Sequence, residues 1–428
     1  MLSDSSFTKN RDIPVHRWVP WIAGFSSDFV DDCIEVFLSR KQRNQLCVMD
    51  PFAGVGTTLV SAIKFGFDTV GFEINPYAVL ASRIKINSSV LDLKLLNTYY
   101  KRYEFRSQNG DQFGRGTTPV EFVTRIPFFS PAVEKQVFGF LDFLQKVKHQ
   151  VIADVFRLAF GSVMVSFSNY TYEPSLSSRP GVGKPLIEHA DVHEKILRKL
   201  SEIKTDVQAI QNEIKTGPTI GKGQIYEMDF MESPSVLPAR SVDLVVTSPP
   251  YMNNYHYVRN TRPQLFWLSL VGSRNDLRKL EEKNIGKYWQ KVRDSKSISL
   301  VFEDKGLEDL LDRIRSTRTN KGAYGGPGWA NYVASYVNDS YRFIKTLKRA
   351  LNRGATAVIV IGNSIIQGHE IKVEHILADI GERLGLKVKG IELLRTKRVG
   401  ASITKSSVRR GQTSKASLYE CAVILQKR

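Results

Sequence analysis

Thr247-Ser248-Pro249-Pro250-Tyr251 follows the β-branched run Ser241-Val242-Asp243-Leu244-Val245-Val246 and gathers residue types suited to one kind of chemistry. Two successive prolines fix φ and remove two backbone donors, so carbonyls at this point are left as outward acceptors. Beside them stand a small hydroxyl, Ser248, and a flat aromatic, Tyr251. Such a loop can accept hydrogen bonds from an amino group while stacking on the ring that carries it. The same residues also read as a stiff proline turn after a strand.

A second set points to a small-molecule ligand. Asp50-Pro51-Phe52-Ala53-Gly54-Val55-Gly56-Thr57-Thr58 lies between an apolar strand pattern and a helical one, where Gly54 and Gly56 let a ligand approach the backbone and the helix N-terminus. Glu73 follows Gly56 by 17 residues and ends the next strand pattern, a place from which an acid accepts both hydroxyls of a ribose. A solvated strand-end acid is the alternative for Glu73. The loop lacks the third glycine of a dinucleotide fingerprint and carries Asp50 instead, an acid suited to a ligand's ammonium group. Asp229 and Phe230 follow a third strand pattern and suit the amino edge and face of an adenine; a helix N-cap beside a core aromatic uses the same pair.

These residues need strands and helices in alternation to hold them. Leu46-Cys47-Val48-Met49 and Thr69-Val70-Gly71-Phe72-Glu73 read as buried strands, with helices over about 28–39, 58–64 and from Pro76 to Lys85. The βαβ rhythm stops after 90. Residues 92–125 have no clear period, a helical stretch covers about 131–167, and a Gly/Pro loop runs from Pro174 to Pro185 with Arg179 and Lys184 in it. Val192, Ile196, Leu200, Ile203, Val207, Ile210 and Ile214 then form one stripe of a long amphipathic helix. Strand patterns resume at 224–229 and 241–246. A charged excursion occupies 272–329, and a helix over about 331–351, strands at 355–362, 388–394 and 418–425, and a helix at 373–384 complete the chain. The expected organisation is an α/β sheet with helices on both faces, made of 1–90, 223–271 and 330–428. A mostly helical insertion at 91–222 and a second, smaller one at 272–329 interrupt it.

Composition narrows the partner. Sixty-one Lys and Arg against 43 Asp and Glu give a net charge of +18, which favours a polyanion such as nucleic acid. Arg395, Lys397, Arg398, Lys405, Arg409, Arg410 and Lys415 crowd the C-terminal segment. Three cysteines build neither a disulfide framework nor a Cys-rich zinc site, so no metal is expected, and none follows a proline. The N-terminus lacks a signal-peptide pattern and no apolar run is read as membrane-spanning, so a cytoplasmic protein without membrane contact is expected.

Taken together, the motifs resemble the S-adenosylmethionine-dependent DNA amino-methyltransferases of the Thr-Ser-Pro-Pro-Tyr type, which modify cytosine N4 or adenine N6. Asp50 to Thr58 resembles their cofactor loop, including Phe52, Gly54, Gly56, Thr57 and Thr58. Glu73 resembles their ribose acid and Asp229, with Phe230, their adenine site. His16-Arg17-Trp18-Val19-Pro20-Trp21, leading to Phe25, resembles the segment that walls off the methionine end, and Ile361 to Ser364 a loop bordering the target-base pocket. The resemblance implies a Rossmann-like methyltransferase fold, S-adenosyl-L-methionine as cofactor and double-stranded DNA as substrate. A cognate restriction endonuclease is a possible partner. It further implies direct transfer to a flipped base, with Ser248 and Pro249 accepting the amino hydrogens, Pro250 stiffening the loop and Tyr251 stacking. Serine before Pro-Pro is associated in that family with cytosine N4, adenine N6 being the alternative. The missing Pro-Cys nucleophile argues against cytosine C5 chemistry. Arg179 and Lys184 are expected to touch phosphates. Tyr255, Tyr257, Arg259 and Arg262 are read either as contacts to the displaced strand or as helix surface. An RNA amino-methyltransferase, a binding protein with lapsed catalysis and a small-molecule dehydrogenase are the competing readings.

Overall fold

The computed structural model describes residues 6–21, 24–38, 46–109, 113–114, 116–172, 175–216, 220–253, 257–397 and 417–428. Seven strands form the main sheet: β1 (Cys47–Asp50), β2 (Asp68–Glu73), β3 (Gly223–Glu227), β4 (Val242–Thr247), β5 (Leu351–Gly362), β6 (Leu386–Lys397) and β7 (Leu418–Lys427). Their order is β3-β2-β1-β4-β5-β7-β6. The first five run parallel, and β7 is antiparallel to both β5 and β6. This is an α/β Rossmann-like sheet. Its strand order reverses between β1 and β4, which opens a crevice at the carboxyl ends where β1 meets the Gly54 loop and β4 meets Ser248.

Strand periodicity of two sorts the core into layers. Val48, Leu244, Val246, Val358 and Val360 face α1 (Ser27–Phe37) and α2 (Thr57–Lys64). The alternate residues Met49, Val245, Ala357, Ile359 and Ile361 face the opposite side. Pro76 at the first turn, with the Asn75 side chain capping Tyr77 and Ala78, starts α3 (Pro76–Ile86) directly after β2.

Between β2 and β3 lie α4 (Leu93–Gln108), α5 (Pro131–Gln145), α6 (Gln150–Val163) and α7 (Val192–Thr216). Residues 93–108, read from sequence as aperiodic, are helical: Asp92 caps the first turn, and Leu96, Tyr99 and Tyr103 make a buried face whose tyrosines disguised the period. The single helical stretch expected over 131–167 is two helices and a 3-10 turn. The loop expected at 174–185 contains a strand, Leu176–Ser178, paired with Tyr170–Tyr172. The α7 stripe behaves as its spacing requires, with Val192, Ile196, Leu200, Ile203 and Val207 all fully buried. Gln150–Phe167 is long and apolar enough to cross a membrane, contrary to the reading of the sequence, yet more than half of it is buried inside the protein. The insertion shares one core with Trp18, Val55, Tyr77 and Leu80, so it packs directly on the sheet domain.

After β4 come α8 (Tyr257–Trp267), α9 (Arg274–Glu282), α10 (Trp289–Val292), α11 (Lys305–Arg315) and α12 (Gly326–Ala350), and α13 (Val373–Arg383) follows β5. The 272–329 excursion is therefore largely helical. α12 and α13 cover the second face of the sheet.

Candidate active site

The β1 loop is fixed by a buried carboxylate. Asp50 Oδ1 accepts from the Phe52 N–H at 3.0 Å and from the Thr247 hydroxyl at 2.6 Å, so the ends of β1 and β4 are tied together immediately before both functional loops. Burial raises its pKa to about 6, against the lowering effect of Thr247, Phe52 and Thr58. Thr58 also donates to the Val246 carbonyl at 3.1 Å. Gly56 sits at φ +82, and a side chain there would meet Ser82 Oγ at 2.9 Å, so only glycine serves.

Glu73 closes the loop from the β2 side. One carboxylate oxygen accepts from the Gly54 N–H at 2.9 Å and the other from the Asn75 N–H at 2.7 Å. Burial lifts its pKa to about 7 despite these donors. The Ile74 N–H is a third donor to this carboxylate, which with about four lone-pair sites still has acceptor capacity for a ligand's hydroxyl. Asp229 caps the Phe230–Ser235 turn through the Met231 N–H at 2.9 Å, and burial raises its pKa. Phe230 packs against Phe72 and Phe343.

Gly54, Glu73, Asp229, Phe230, Ser248 and Pro250 line one cleft of about 730 Å³, which Phe52 also borders. Trp21 reaches it from the N-terminal segment and lies over Gly54, its Nε1 3.1 Å from where a Cβ would stand. Asp50, Gly56, Thr57 and Thr58 lie behind this surface and hold it. The structure does not bring Phe25 to the cleft: its ring is buried 5.9 Å from Phe29 in the core against α1. Lys283, Asn284 and Ile285 complete the wall, so the second excursion contributes to this cleft. No spacing in that charged stretch signalled it.

Tyr251 leaves the cleft and lines a larger groove of about 2200 Å³ together with Asn253. Its hydroxyl donates to Glu420 Oε1 at 3.1 Å, and Arg395 pairs with the other Glu420 oxygen. A Cβ at Gly362 would come within 3.2 Å of the Tyr251 ring, so the ring rests on bare backbone there. Tyr336 donates to the Pro250 carbonyl at 2.7 Å and Ser364 to the Met252 carbonyl, pinning the loop on both sides of Tyr251. Tyr336 and Glu420 are positioning residues that the sequence left unmarked, since each lies far along the chain from the loop it holds.

Arg259 and Arg262 face neither space. They border a third cleft with Arg274 and Arg278, where the Arg262 guanidinium donates to the Val123 carbonyl and stands 5.4 Å over the Phe122 ring. Burial, and then Arg259 and Arg274, lower the Arg262 pKa. Arg179 bonds the Pro185 carbonyl inside its own loop, and neither Arg179 nor Lys184 borders the cleft or the groove. Tyr255, Arg398, Lys405, Arg409, Arg410 and Lys415 lie outside the described residues.

Curated proteins match along almost the whole chain. The type II methyltransferase M.BsoBI of Geobacillus stearothermophilus is 23% identical over 99% of this chain and 87% of its own length. The type II methyltransferase M.AvaI of Nostoc is also 23% identical, over 99% and 88%. Along almost its whole length the chain is thus similar to type II methyltransferases, at low identity. M.MjaII of Methanocaldococcus jannaschii adds 32% identity over 26% of this chain and 20% of its own. No family model matches. Among solved structures, a DNA modification methylase from Thermus thermophilus overlaps 46% of this chain and 50% of its own at 14% identity and a TM-score of 0.21. An rRNA methyltransferase from Streptomyces viridochromogenes overlaps 95% and 87% at 10% identity and a TM-score of 0.29. These scores mark distant likenesses only; the sheet order carries the fold.

Proposed function

We propose that this chain is a site-specific DNA methyltransferase that transfers a methyl group from S-adenosyl-L-methionine to the exocyclic N4 of a flipped cytosine. One observation carries the reading: Ser248 and Pro250 line the same cleft as Gly54, Glu73 and Asp229, while the adjoining Tyr251 lines a separate basic groove. A loop that borders a nucleoside-like site on one side and a large cation-rich space on the other suits transfer from a small cofactor to a nucleic acid. The full-length likeness to type II methyltransferases supports it.

The cleft residues fit the cofactor. Glu73 offers carboxylate lone pairs for ribose hydroxyls, Asp229 an acceptor for an adenine amino group with Phe230 beside it, and Trp21 a wall over Gly54. When bound, S-adenosylmethionine supplies an electrophilic methyl group on a sulfonium. On the acceptor side, extruding a base costs a few kcal/mol, and stacking on Tyr251 returns about 1–3 kcal/mol. Ser248 Oγ and the Pro249 carbonyl oxygen would accept hydrogen bonds from the amino group, drawing the nitrogen lone pair out of ring conjugation so that it becomes the nucleophile, and the surplus proton of the methylated nitrogen would be released to solvent. Tyr336, through the Pro250 carbonyl that follows these acceptors, and Glu420, through the Tyr251 hydroxyl, hold the loop and the ring in place before the substrate arrives. No covalent enzyme intermediate is required, in keeping with the lack of a Pro-Cys.

Arg259 and Arg262 are proposed as contacts to the displaced strand, supported by the arginine-lined cleft they share with Arg274 and Arg278. Arg179 and Lys184 are proposed phosphate contacts; unchanged salt dependence of DNA binding in Arg179→Ala/Lys184→Ala removes them. A cytoplasmic restriction endonuclease partner belongs to the same proposal. The deciding experiment incubates the protein with isotope-labelled S-adenosylmethionine and DNA or RNA, then digests to nucleosides. N4-methylcytosine is expected, N6-methyladenine moves the target to adenine, label in RNA alone reassigns the substrate, and no label in either overturns the enzyme.

A further inference from the structure

The groove beside Tyr251 has one wall from α7 and one from the N-terminal segment. Along α7 the apolar stripe at Val192, Ile196, Leu200, Ile203 and Val207 is buried in the insertion core. A second stripe, Lys195, Arg198, Lys199 and Glu202, has the i, i+3, i+4, i+7 spacing of a single helix face and lines the groove. The opposite wall is docked onto the same helix by buried Asp206. Its carboxylate accepts from the Val15 N–H at 2.9 Å, the Trp18 indole at 2.8 Å and the Arg17 guanidinium at 3.1 Å. Lys85, also buried, donates to the His16 carbonyl at 3.4 Å from beneath. Both walls therefore hold their shape without a ligand.

The charge in this space is one-sided. Arg11, Arg17, Lys195, Arg198, Lys199 and Arg395 line it with two acids, Glu202 and Glu420, while a third, Asp206, pairs with Arg17 from behind the lining. Each of the two lining acids is already bonded to a groove cation, Lys199 at 2.6 Å and Arg395 respectively. The groove is far more spacious than the cofactor cleft, and Tyr251 and Asn253 lie on its lining. Cations fixed along a groove of that size suit a repeating anion.

We propose that the phosphate backbone of the DNA substrate runs along this groove, held by Arg11 on one wall and by Lys195, Arg198 and Lys199 of α7 on the other. α7 is then the element of the 91–222 insertion that presents the duplex to Tyr251. The proposal rests on the methyltransferase reading above and adds to it the surface that binds the substrate.

The test measures binding of a fluorescent mixed-sequence DNA duplex across a salt series. It compares the wild-type protein, Lys195→Gln/Arg198→Gln/Lys199→Gln, and a control that removes equal charge from exposed positions of the same insertion, Lys94→Gln/Lys101→Gln/Lys135→Gln. The groove variant is expected to lower the slope of log affinity against log salt by about 2 to 3, while the control keeps the wild-type slope. Binding of S-adenosylhomocysteine, measured on the same preparations, stays unchanged in both and reports that the fold is intact. An unchanged slope in the groove variant, or an equal drop in the control, overturns the assignment. If the wild-type protein binds S-adenosylhomocysteine but shows no salt-dependent DNA binding, the DNA reading itself fails. Single-stranded RNA binding in its place would overturn the duplex assignment as well.

Discussion

The two spaces on either side of the Ser248–Tyr251 loop differ in nearly every property that decides what they can hold. The cleft on the Ser248 and Pro250 side is small, with two acids raised in pKa by burial and a glycine loop as its floor. The groove on the Tyr251 side is far larger and edged with arginine and lysine. A cationic sulfonium nucleoside and a polyanion would each be repelled by the other's site. One short loop can therefore serve both sites, Ser248 and Pro250 on one side and Tyr251 on the other, because the prolines stop it from averaging its orientation and Tyr336, Gly362 and Glu420 fix how it is presented. Trp21 borders both spaces and is the partition between them.

The strongest way to break this contrast is to release the partition. Asp206→Ala leaves the Trp18 indole and the Val15 N–H buried without their acceptor and strands Arg17. It is expected to cost about 3 kcal/mol in urea denaturation and to weaken cofactor and DNA binding together. Loss of stability with one of the two affinities untouched would show that the wall is not shared. Next in size, Tyr251→Ala should lower the methyl-transfer rate by about 10- to 100-fold while S-adenosylhomocysteine affinity stays at the wild-type value, because only the groove side is altered. The reciprocal change, Glu73→Gln, should weaken the cofactor about tenfold in calorimetry and leave DNA affinity alone.

The pH response sharpens the same division. Glu73 titrates near 7 in the protein because it is buried, and its ionised form is the better acceptor for ligand hydroxyls. Ligand binding should pull that pKa down, so cofactor affinity rises as pH increases through about 7 and levels off above it. Glu73→Gln removes this rise; a rise that persists in the variant assigns it to another group. The smallest expected effect is Tyr336→Phe, which deletes one hydrogen bond to the Pro250 carbonyl and should lower the rate about fivefold, by about 1 kcal/mol, with both affinities unchanged.

Local patterns made much of the sheet legible. β1, β2, β4 and the central β5 were marked by apolar β-branched runs, and the loops that follow β1 and β4 by glycine and proline, because those residues act on the backbone where they stand. α4 was missed because tyrosines at 99 and 103 turn an apolar face inward while counting as polar in a pattern. The same limit applied to the site. Glu73, Asp229 and Ser248 sit at strand ends and their position alone places them on one cleft, whereas Phe25 packs in the core because a segment outside the strand–loop rhythm has no register to fix where its side chains point.

The sequence by itself determined the α/β class, the order of the glycine and proline loops, the positive charge and the buried stripe of α7. All of these follow from residue type and spacing along one element. Only the tertiary structure decided that Lys283 to Ile285 wall the cleft, that Glu420 and Tyr336 hold the proline loop, and that Asp206 ties the N-terminal segment to α7. Each of these joins residues far apart in the chain, and such contacts exist only once the sheet and the insertion have packed against each other.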